Sequence, residues 1–96
     1  MVRIATVQDA AQLEILNYEF NGEGETTLDN IRESLADNKQ EIVVVDEMNG
    51  ELTGFVCVQL KKSFCYGDYM PEITEVYVKP QYRRNGIARV FEVEVT

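Results

Sequence analysis

The dipeptide Asn49-Gly50, which lies between two runs rich in β-branched residues, constrains the fold of this chain more than any other feature. A two-residue hairpin turn needs positive φ at both central positions, and asparagine and glycine adopt it at low cost. The run Ile42-Val43-Val44-Val45 before the turn is typical of a strand buried on both faces. Residues 41–47 and 52–60 are therefore predicted to form two antiparallel strands.

Helices and further strands flank this hairpin. Thr6 is a candidate helix N-cap with Asp9 three positions later, an acidic variant of the capping box. Periodicity and turn residues predict a strand at 2–4, a helix at 7–20 and a second helix capped by Thr27 that stops near residues 37–38. They also predict a loop at 63–70, a strand at 71–78 and a helix from Asn85 or Gly86. The predicted fold class is α/β (α+β), a mixed, mostly antiparallel sheet with flanking helices in the order β-α-α-β-β-β-loop-α. We expect residues 1–96 to form a single domain.

Charge and missing residue types exclude several functions. With 17 Asp and Glu against 9 Lys and Arg, the net charge of −8 argues against binding to a nucleic-acid backbone. Without histidine, the chain has no Ser-His-Asp triad and no imidazole-bearing metal site. No stretch reaches the about 18 apolar residues of a membrane span, and Cys57 and Cys65 do not make a disulfide framework. We therefore expect a soluble, cytoplasmic protein with no metal, nucleic-acid or membrane partner.

Most candidate functional residues lie in residues 72–88, where a predicted strand leads into a turn and then into a predicted helix. The turn carries Arg83 and Arg84, whose guanidinium groups form charge-assisted hydrogen bonds with anionic oxygens. Gly86 lets a phosphate approach the backbone, and Ala88 keeps the first helical turn narrow. Because a helix N-terminus carries unpaired amides and partial positive charge, this segment is a candidate phosphate site. Taken alone, the pattern also fits an ordinary surface turn.

The spacing Val76-x-Val78-x-Pro80-x-x-Arg83-x-x-Gly86-Ile87-Ala88 resembles the acetyl-CoA motif of the GNAT superfamily of N-acetyltransferases. The two helices and the Asn-Gly hairpin with Gly54 in its second strand also fit this family. The helix-loop-helix opening resembles, more weakly, the aminoglycoside-acetyltransferase-like branch. The resemblance implies acetyl-CoA as co-substrate and direct transfer, in which an amine attacks the thioester carbonyl and a base removes its proton.

The resemblance also assigns the residues that hold acetyl-CoA. It implies that the backbone of Val76, Tyr77 and Val78 pairs with the pantetheine arm as an added strand would. The pyrophosphate is then expected at the start of the helix, near Arg83. The amides expected to hold it are those of Arg84, Asn85, Gly86, Ile87 and Ala88.

The family position of the general base falls on Glu72, six residues before Val78, with Glu75 as the reserve candidate. Strict alternation along the strand would place Glu72 and Thr74 on one face and Glu75 and Tyr77 on the other. For both glutamates a solvated carboxylate at a strand end is the alternative interpretation.

An acceptor site is expected around the acidic loop that contains Glu23 and Glu25. Negative charge there would attract a cationic amine such as an aminoglycoside or a polyamine. Tyr66 and Tyr69 lie in the predicted loop beside this region and could stack on a substrate. The alternatives are that the charge serves solubility and that the tyrosines pack their own loop.

The sequence departs from the family pattern after Ala88, because the strand, helix and last strand that usually follow are not found. In the tail at 90–96, apolar and polar residues alternate from Phe91 to Thr96, which is a strand pattern. We expect this tail to pair with a second copy, giving a homodimer. Two functions stay open: an N-acetyltransferase of a small amine, and a truncated, non-catalytic CoA-binding or interaction module.

Overall fold

The predicted hairpin is confirmed in the computed structural model, which describes residues 1–83. Asn49 and Gly50 both have positive φ, 54° and 82°. They join β2 (Glu41–Met48) to β3 (Glu51–Lys61), and the two strands pair antiparallel. The helix predicted from Asn85 or Gly86 and the tail at 90–96 lie outside the described residues.

The sheet has four antiparallel strands in the order β1-β2-β3-β4. The two outer strands are β1 (Val2–Ile4), which pairs with β2, and β4 (Met70–Val78), which pairs with β3. The predicted mixed fold with a mostly antiparallel sheet is therefore confirmed. Within residues 1–83, the far edge of β4 has no strand beside it.

Two helices follow β1. A 3₁₀ turn (Val7–Asp9) precedes α1 (Ala10–Asn21), so the helix predicted from residue 7 begins with a tighter turn. The second helix, α2 (Leu28–Ala36), begins after Thr27, whose Oγ1 accepts a hydrogen bond from the Asn30 amide at 3.1 Å. Neither helix is long and apolar enough to cross a membrane, and the same holds for every helix among the described residues.

The helices cover one face of the sheet and enclose the main core. This core joins helix residues to residues of β2, β3 and β4, namely Leu13, Leu16, Val45, Leu52, Phe55 and Tyr77. A second apolar cluster lies on the opposite face, where Val44, Val56, Val58 and Val78 are buried. The sheet therefore has apolar residues on both faces, as the β-branched run predicted.

A partly buried ion pair joins the 3₁₀ turn before α1 to β1. The guanidinium of Arg3 binds the Asp9 carboxylate through two contacts, Nη1 to Oδ2 at 2.7 Å and Nη2 to Oδ1 at 2.8 Å. The Thr6 amide donates to the same carboxylate at 2.7 Å, and Asp9 is only 5% exposed. The hydrogen bond from Arg3 holds the pKa of Asp9 below its ordinary value. This carboxylate is therefore stabilised in its charged form.

Replacing Asp9 by asparagine tests this pair. We expect Asp9→Asn to lower the free energy of unfolding at pH 7 by about 1–3 kcal/mol, because Arg3 loses its two charged hydrogen bonds to Asp9 and keeps only Glu47 at 3.3 Å. The folded pKa of Asp9 is depressed, so its contribution is present above the unfolded pKa of about 4 and is lost as pH falls through the folded pKa. Urea denaturation at pH 7 and pH 3 should therefore show a smaller difference at pH 3.

The exposed pair of Asp29 and Arg32 provides the matched control. The Asp29 side chain is 98% exposed and lies 3.9 Å from Arg32, so Asp29→Asn should leave stability unchanged. Equal losses in the two variants would contradict a special role for the pair of Arg3 and Asp9.

Candidate functional site

A β-bulge interrupts β4 where the predicted base candidates lie. Cys57 of β3 is opposite Glu75, but the next residue, Val58, is opposite Ile73. Thr74 is therefore the extra residue, and its Oγ1 donates to the Cys57 carbonyl at 3.3 Å. A bulge of this kind reverses the alternation of side chains beyond it.

The bulge places Glu72 and Glu75 on the same face of the sheet. Directly opposed residues share a face, and Glu72 is opposite Gln59 while Glu75 is opposite Cys57. Gln59 and Cys57 are two residues apart on β3, so all four point to the side that the helices cover. The prediction that Glu72 and Glu75 lie on opposite faces is wrong, because it assumed an uninterrupted strand.

An acidic cleft of ≈ 180 Å³ opens between this face and the two helices. Its sheet side includes Glu41, Glu75 and Cys57, and we use the term acidic cleft for the space these three residues border. The helix side contributes polar groups from Asn17 and Asn30, with apolar contact from Leu13 and Ile31. Amides, carboxylates and apolar side chains meet here, which is the usual make-up of a small-molecule site.

Glu41 is a site residue that the sequence analysis missed. Burial, together with the nearby charge of Glu75, raises its pKa, although Gln59 Nε2 donates a hydrogen bond to Glu41 Oε2 at 2.8 Å. The available signal was its spacing, since Glu41, Val43 and Val45 alternate on one strand and the two valines face the helices. A carboxylate in phase with core valines lies on a covered face.

Cys57 behaves as a packing residue rather than a nucleophile. It packs against the main core, and burial and the charges of Glu41 and Glu75 raise the pKa of its thiol to about 12. A protonated thiol is a poor nucleophile at neutral pH. This agrees with its interpretation as a small core residue.

Glu72 lies at the outer end of the same face and does not border the acidic cleft. Its side chain is 53% exposed, and its Oε2 lies 2.5 Å from Lys61 Nζ. Lys61 is opposite Met70, so Lys61 and Glu72 are diagonal neighbours across the two strands. Diagonal positions are within reach of long side chains.

The other end of β4 is held by an aromatic cluster. The Tyr77 ring packs against Phe20 and Phe55, with ring centroids 5.4 and 6.2 Å away, and its hydroxyl donates to Glu19 Oε1 at 3.0 Å. Burial and the Glu19 carboxylate raise the pKa of Tyr77. Arg83 lies over this ring at 5.6 Å and donates from Nε to the Val78 carbonyl at 2.8 Å.

Gly54 allows β3 and β4 to approach closely at this end. It is opposite Val78, and a Cβ at position 54 would lie 2.5 Å from the Tyr77 carbonyl oxygen and 3.1 Å from Val78 Cα. These are backbone atoms, so a side chain at position 54 would displace β4. Glycine is required here by the space available.

The turn after β4 is anchored to β3. Pro80–Tyr82 forms a 3₁₀ turn, and the Lys79 amide donates to the Thr53 carbonyl at 2.8 Å. Glu51 accepts hydrogen bonds from Lys79 Nζ at 2.9 Å and from the Tyr82 hydroxyl at 3.3 Å. The described part of the predicted phosphate segment is thus fixed. The amides predicted to hold the pyrophosphate, those of residues 84–88, lie outside the described residues.

The predicted acceptor residues separate into two groups. Glu23 and Glu25 border a groove of ≈ 360 Å³ beside α1, and this groove shares Asn17 and Thr26 with the acidic cleft. The predicted tyrosines, Tyr66 and Tyr69, are 61% and 60% exposed in the β3–β4 loop and border neither space. The structure therefore brings the loop carboxylates, and not the tyrosines, next to the cleft.

Comparison with known proteins confirms the resemblance drawn from the sequence. Residues 7–90 match the model of the Acetyltransferase (GNAT) family. A search of curated proteins finds no match.

Solved structures share the fold. A possible acetyltransferase from Clostridium difficile 630 matches with a TM-score of 0.84 and 20% identity over 99% of this chain and 67% of its own. An acetyltransferase from Vibrio fischeri matches with a TM-score of 0.78 and 26% identity, over 99% of this chain and 82% of its own. An aminoglycoside acetyltransferase from an uncultured soil metagenomic sample, solved with sisomicin, matches with a TM-score of 0.82 and 15% identity. The match covers 98% of this chain and 65% of that structure's chain. The chain thus spans about two thirds of the length of several of these structures.

Gly54→Ala tests the close approach of β3 and β4. The new methyl group would meet the Tyr77 carbonyl, so we expect the free energy of unfolding to fall by about 1–3 kcal/mol. Gly67→Ala is the control, because nothing lies within 4 Å of a Cβ at position 67. Urea denaturation measures both variants, and equal stability would contradict the assigned contact.

Glu41→Gln tests whether the negative charge of Glu41 in the acidic cleft lowers the stability of the fold. Because the folded pKa of Glu41 is raised, wild-type stability falls as pH rises from the unfolded value of about 4 through the folded one. The glutamine variant escapes this loss, so we expect it to be more stable than wild type at pH 7 and equal to it at pH 3. Urea denaturation at the two pH values measures the difference, and a destabilised variant at pH 7 would contradict the account.

Proposed function

The chain belongs to the Acetyltransferase (GNAT) family, and from this premise we propose that it transfers an acetyl group from acetyl-CoA to a small cationic amine. Membership places it among the acyl-CoA N-acyltransferases. In the proposed reaction the amine nitrogen bonds to the acetyl carbon, the carbon–sulfur bond breaks, and a carboxylate accepts a proton from the amine.

The donor site is proposed along the far edge of β4. Within residues 1–83 no strand pairs with this edge, and we propose that the backbone of Val76, Tyr77 and Val78 pairs there with an extended arm, with Arg83 Nε already donating to the Val78 carbonyl. Arg83 stands beside Val78 at the start of the turn and adds positive charge for phosphate. The amides of Arg84, Asn85, Gly86, Ile87 and Ala88 complete the proposed site. Strand backbone for the extended arm and positive groups for the phosphates together fit acetyl-CoA.

The observation that carries the proposal is the bulge at Thr74. It brings the carboxylates of Glu72 and Glu75 to the face of β4 that borders the acidic cleft, next to the proposed donor edge. Glu72 is proposed as the general base because its position matches the family motif. Glu75 is the alternative, supported by its place in the lining of the cleft.

The acceptor is proposed to be a primary amine of an aminoglycoside or a polyamine. Glu41 and Glu75 border the acidic cleft, and Glu23 and Glu25 border the adjoining groove. Carboxylates grouped in this way attract a cation and raise its local concentration. Among the solved structures with this fold, one is named as an aminoglycoside acetyltransferase in complex with sisomicin, which supports the same acceptor class.

We further propose that the chain acts in the cytoplasm as a homodimer. Support comes from the sequence pattern of residues 90–96, whose alternating valines suit strand pairing. Light scattering measures the oligomeric state, and a monomer at all concentrations would contradict this part of the proposal.

Acceptor turnover tests the proposed function. Calorimetry should detect acetyl-CoA binding, and release of CoA thiol should follow addition of an aminoglycoside or a polyamine but not of a neutral sugar. We expect Glu72→Gln to lower kcat by about 100-fold without weakening acetyl-CoA binding, as removal of a general base does. The same loss in Glu75→Gln, with Glu72→Gln active, would assign the base to Glu75.

Glu33→Gln is the matched control, because Glu33 is exposed on α2 and borders neither space. It should leave turnover unchanged. Acetyl-CoA binding without turnover of any amine would instead support the non-catalytic module, and absence of binding would contradict both functions.

A further inference from the structure

The amine of Lys61 contacts Glu72, the proposed general base. Lys61 is the last residue of β3, and its Nζ lies 2.5 Å from Glu72 Oε2. Within residues 1–83, Lys61 is the only side chain paired with Glu72, because the neighbouring Gln59 donates its amide to Glu41 instead. The ammonium group of Lys61 therefore occupies the position that an acceptor amine must reach for its proton to be removed.

This amine is also open to solvent. The side chains of Lys61 and Glu72 are 56% and 53% exposed, so a second molecule can approach Nζ while it contacts the carboxylate. The pairing costs little to break, since ion pairs between exposed side chains contribute little to stability. Lys61 is thus held near Glu72 but is free to move toward an acetyl group bound along β4.

We propose that Lys61 is a self-acetylation site of this chain, an inference that rests on the proposed function. One proton of the Nζ ammonium passes to Glu72 and then to solvent. Nζ bonds to the acetyl carbon of acetyl-CoA as the carbon–sulfur bond breaks, and a second Nζ proton leaves with the sulfur as the CoA thiol. The products are an N-acetyl-lysine amide, free CoA and one proton, with no change in oxidation state.

Lys62 and Lys39 serve as comparisons for Lys61, because neither lies against a candidate base. Lys62 follows Lys61 directly, but its Nζ lies over the Tyr69 ring, 5.5 Å from the centroid. Lys39 is exposed between α2 and β2 and makes no ion pair with any described residue. Neither amine contacts a carboxylate of the part of the chain that the structure describes, so both report the background rate of spontaneous acetylation.

Peptide mapping by mass spectrometry after incubation of the full chain with acetyl-CoA tests the inference. We expect Lys61 to be acetylated faster than Lys39 and Lys62, with a rate per chain that does not depend on protein concentration. Glu72→Gln should slow acetylation of Lys61 by about 100-fold and leave Lys39 unaffected. Lys61→Arg should abolish the modification while keeping the ion pair, and Lys39→Arg is its matched control.

The outcomes separate this inference from the proposed function. If the chain releases CoA with an added amine but acetylates Lys61 no faster than Lys39, the inference is wrong and the proposed function stands. A rate per chain that rises with protein concentration would show transfer between copies and would also overturn it. Acetylation of Lys61 without turnover of any added amine supports the inference and contradicts the proposed acceptor. Absence of acetyl-CoA binding contradicts both.

Discussion

The pairing of β3 with β4 is the constraint on which the rest of the candidate site depends. At one end Gly54 lets the two backbones approach closely, so that Val78 and the turn after it are fixed against β3. Toward the other end, the extra residue Thr74 reverses which face of the sheet the side chains beyond it point to. The close contact and the bulge together determine where the backbone edge of β4 and its carboxylates lie relative to the acidic cleft.

Electrostatics at the cleft follow from this backbone arrangement. Glu41 is opposite Gln59 and Glu75 is opposite Cys57, two residues along β3 on the same face, and burial makes the charged form of Glu41 costly. Like charges placed in a partly buried space are unfavourable for folding. A bound cation would relieve that cost, so the same feature that weakens the fold favours the acceptor class that we propose.

Much of the fold could be predicted from local sequence, because the signals for its elements are short-range. Asn49-Gly50 sets the hairpin, and the helix cap at Thr27 and the run at 42–45 each act within a few residues. The bulge could not be predicted in this way. The two consecutive polar residues Thr74 and Glu75 lie between Ile73 and Val76 in the sequence, but only the register of β4 against β3 shows that Thr74 is unpaired.

Only part of the candidate site could be predicted, because its contacts also depend on the register between strands. Motif spacing led to Glu72 and Arg83, but the contacts that define their surroundings are between strands. Glu41 is 34 positions from Glu75 in sequence, and Lys61 meets Glu72 only diagonally across two strands. Such neighbours depend on the register of the sheet, which a single strand's residue pattern does not contain.

The central claim is that β4 carries the acetyl-CoA edge beside the acidic cleft. Titration of the ¹⁵N-labelled chain with acetyl-CoA, followed by the backbone amide resonances, tests it at single-residue resolution. The account predicts shifts at Val76, Tyr77, Val78 and Arg83, with β1 unchanged. A subsequent titration with an aminoglycoside should shift the amides of Glu41 and Glu75. Acetyl-CoA shifts confined to residues outside β4 and the turn that follows it would contradict the account.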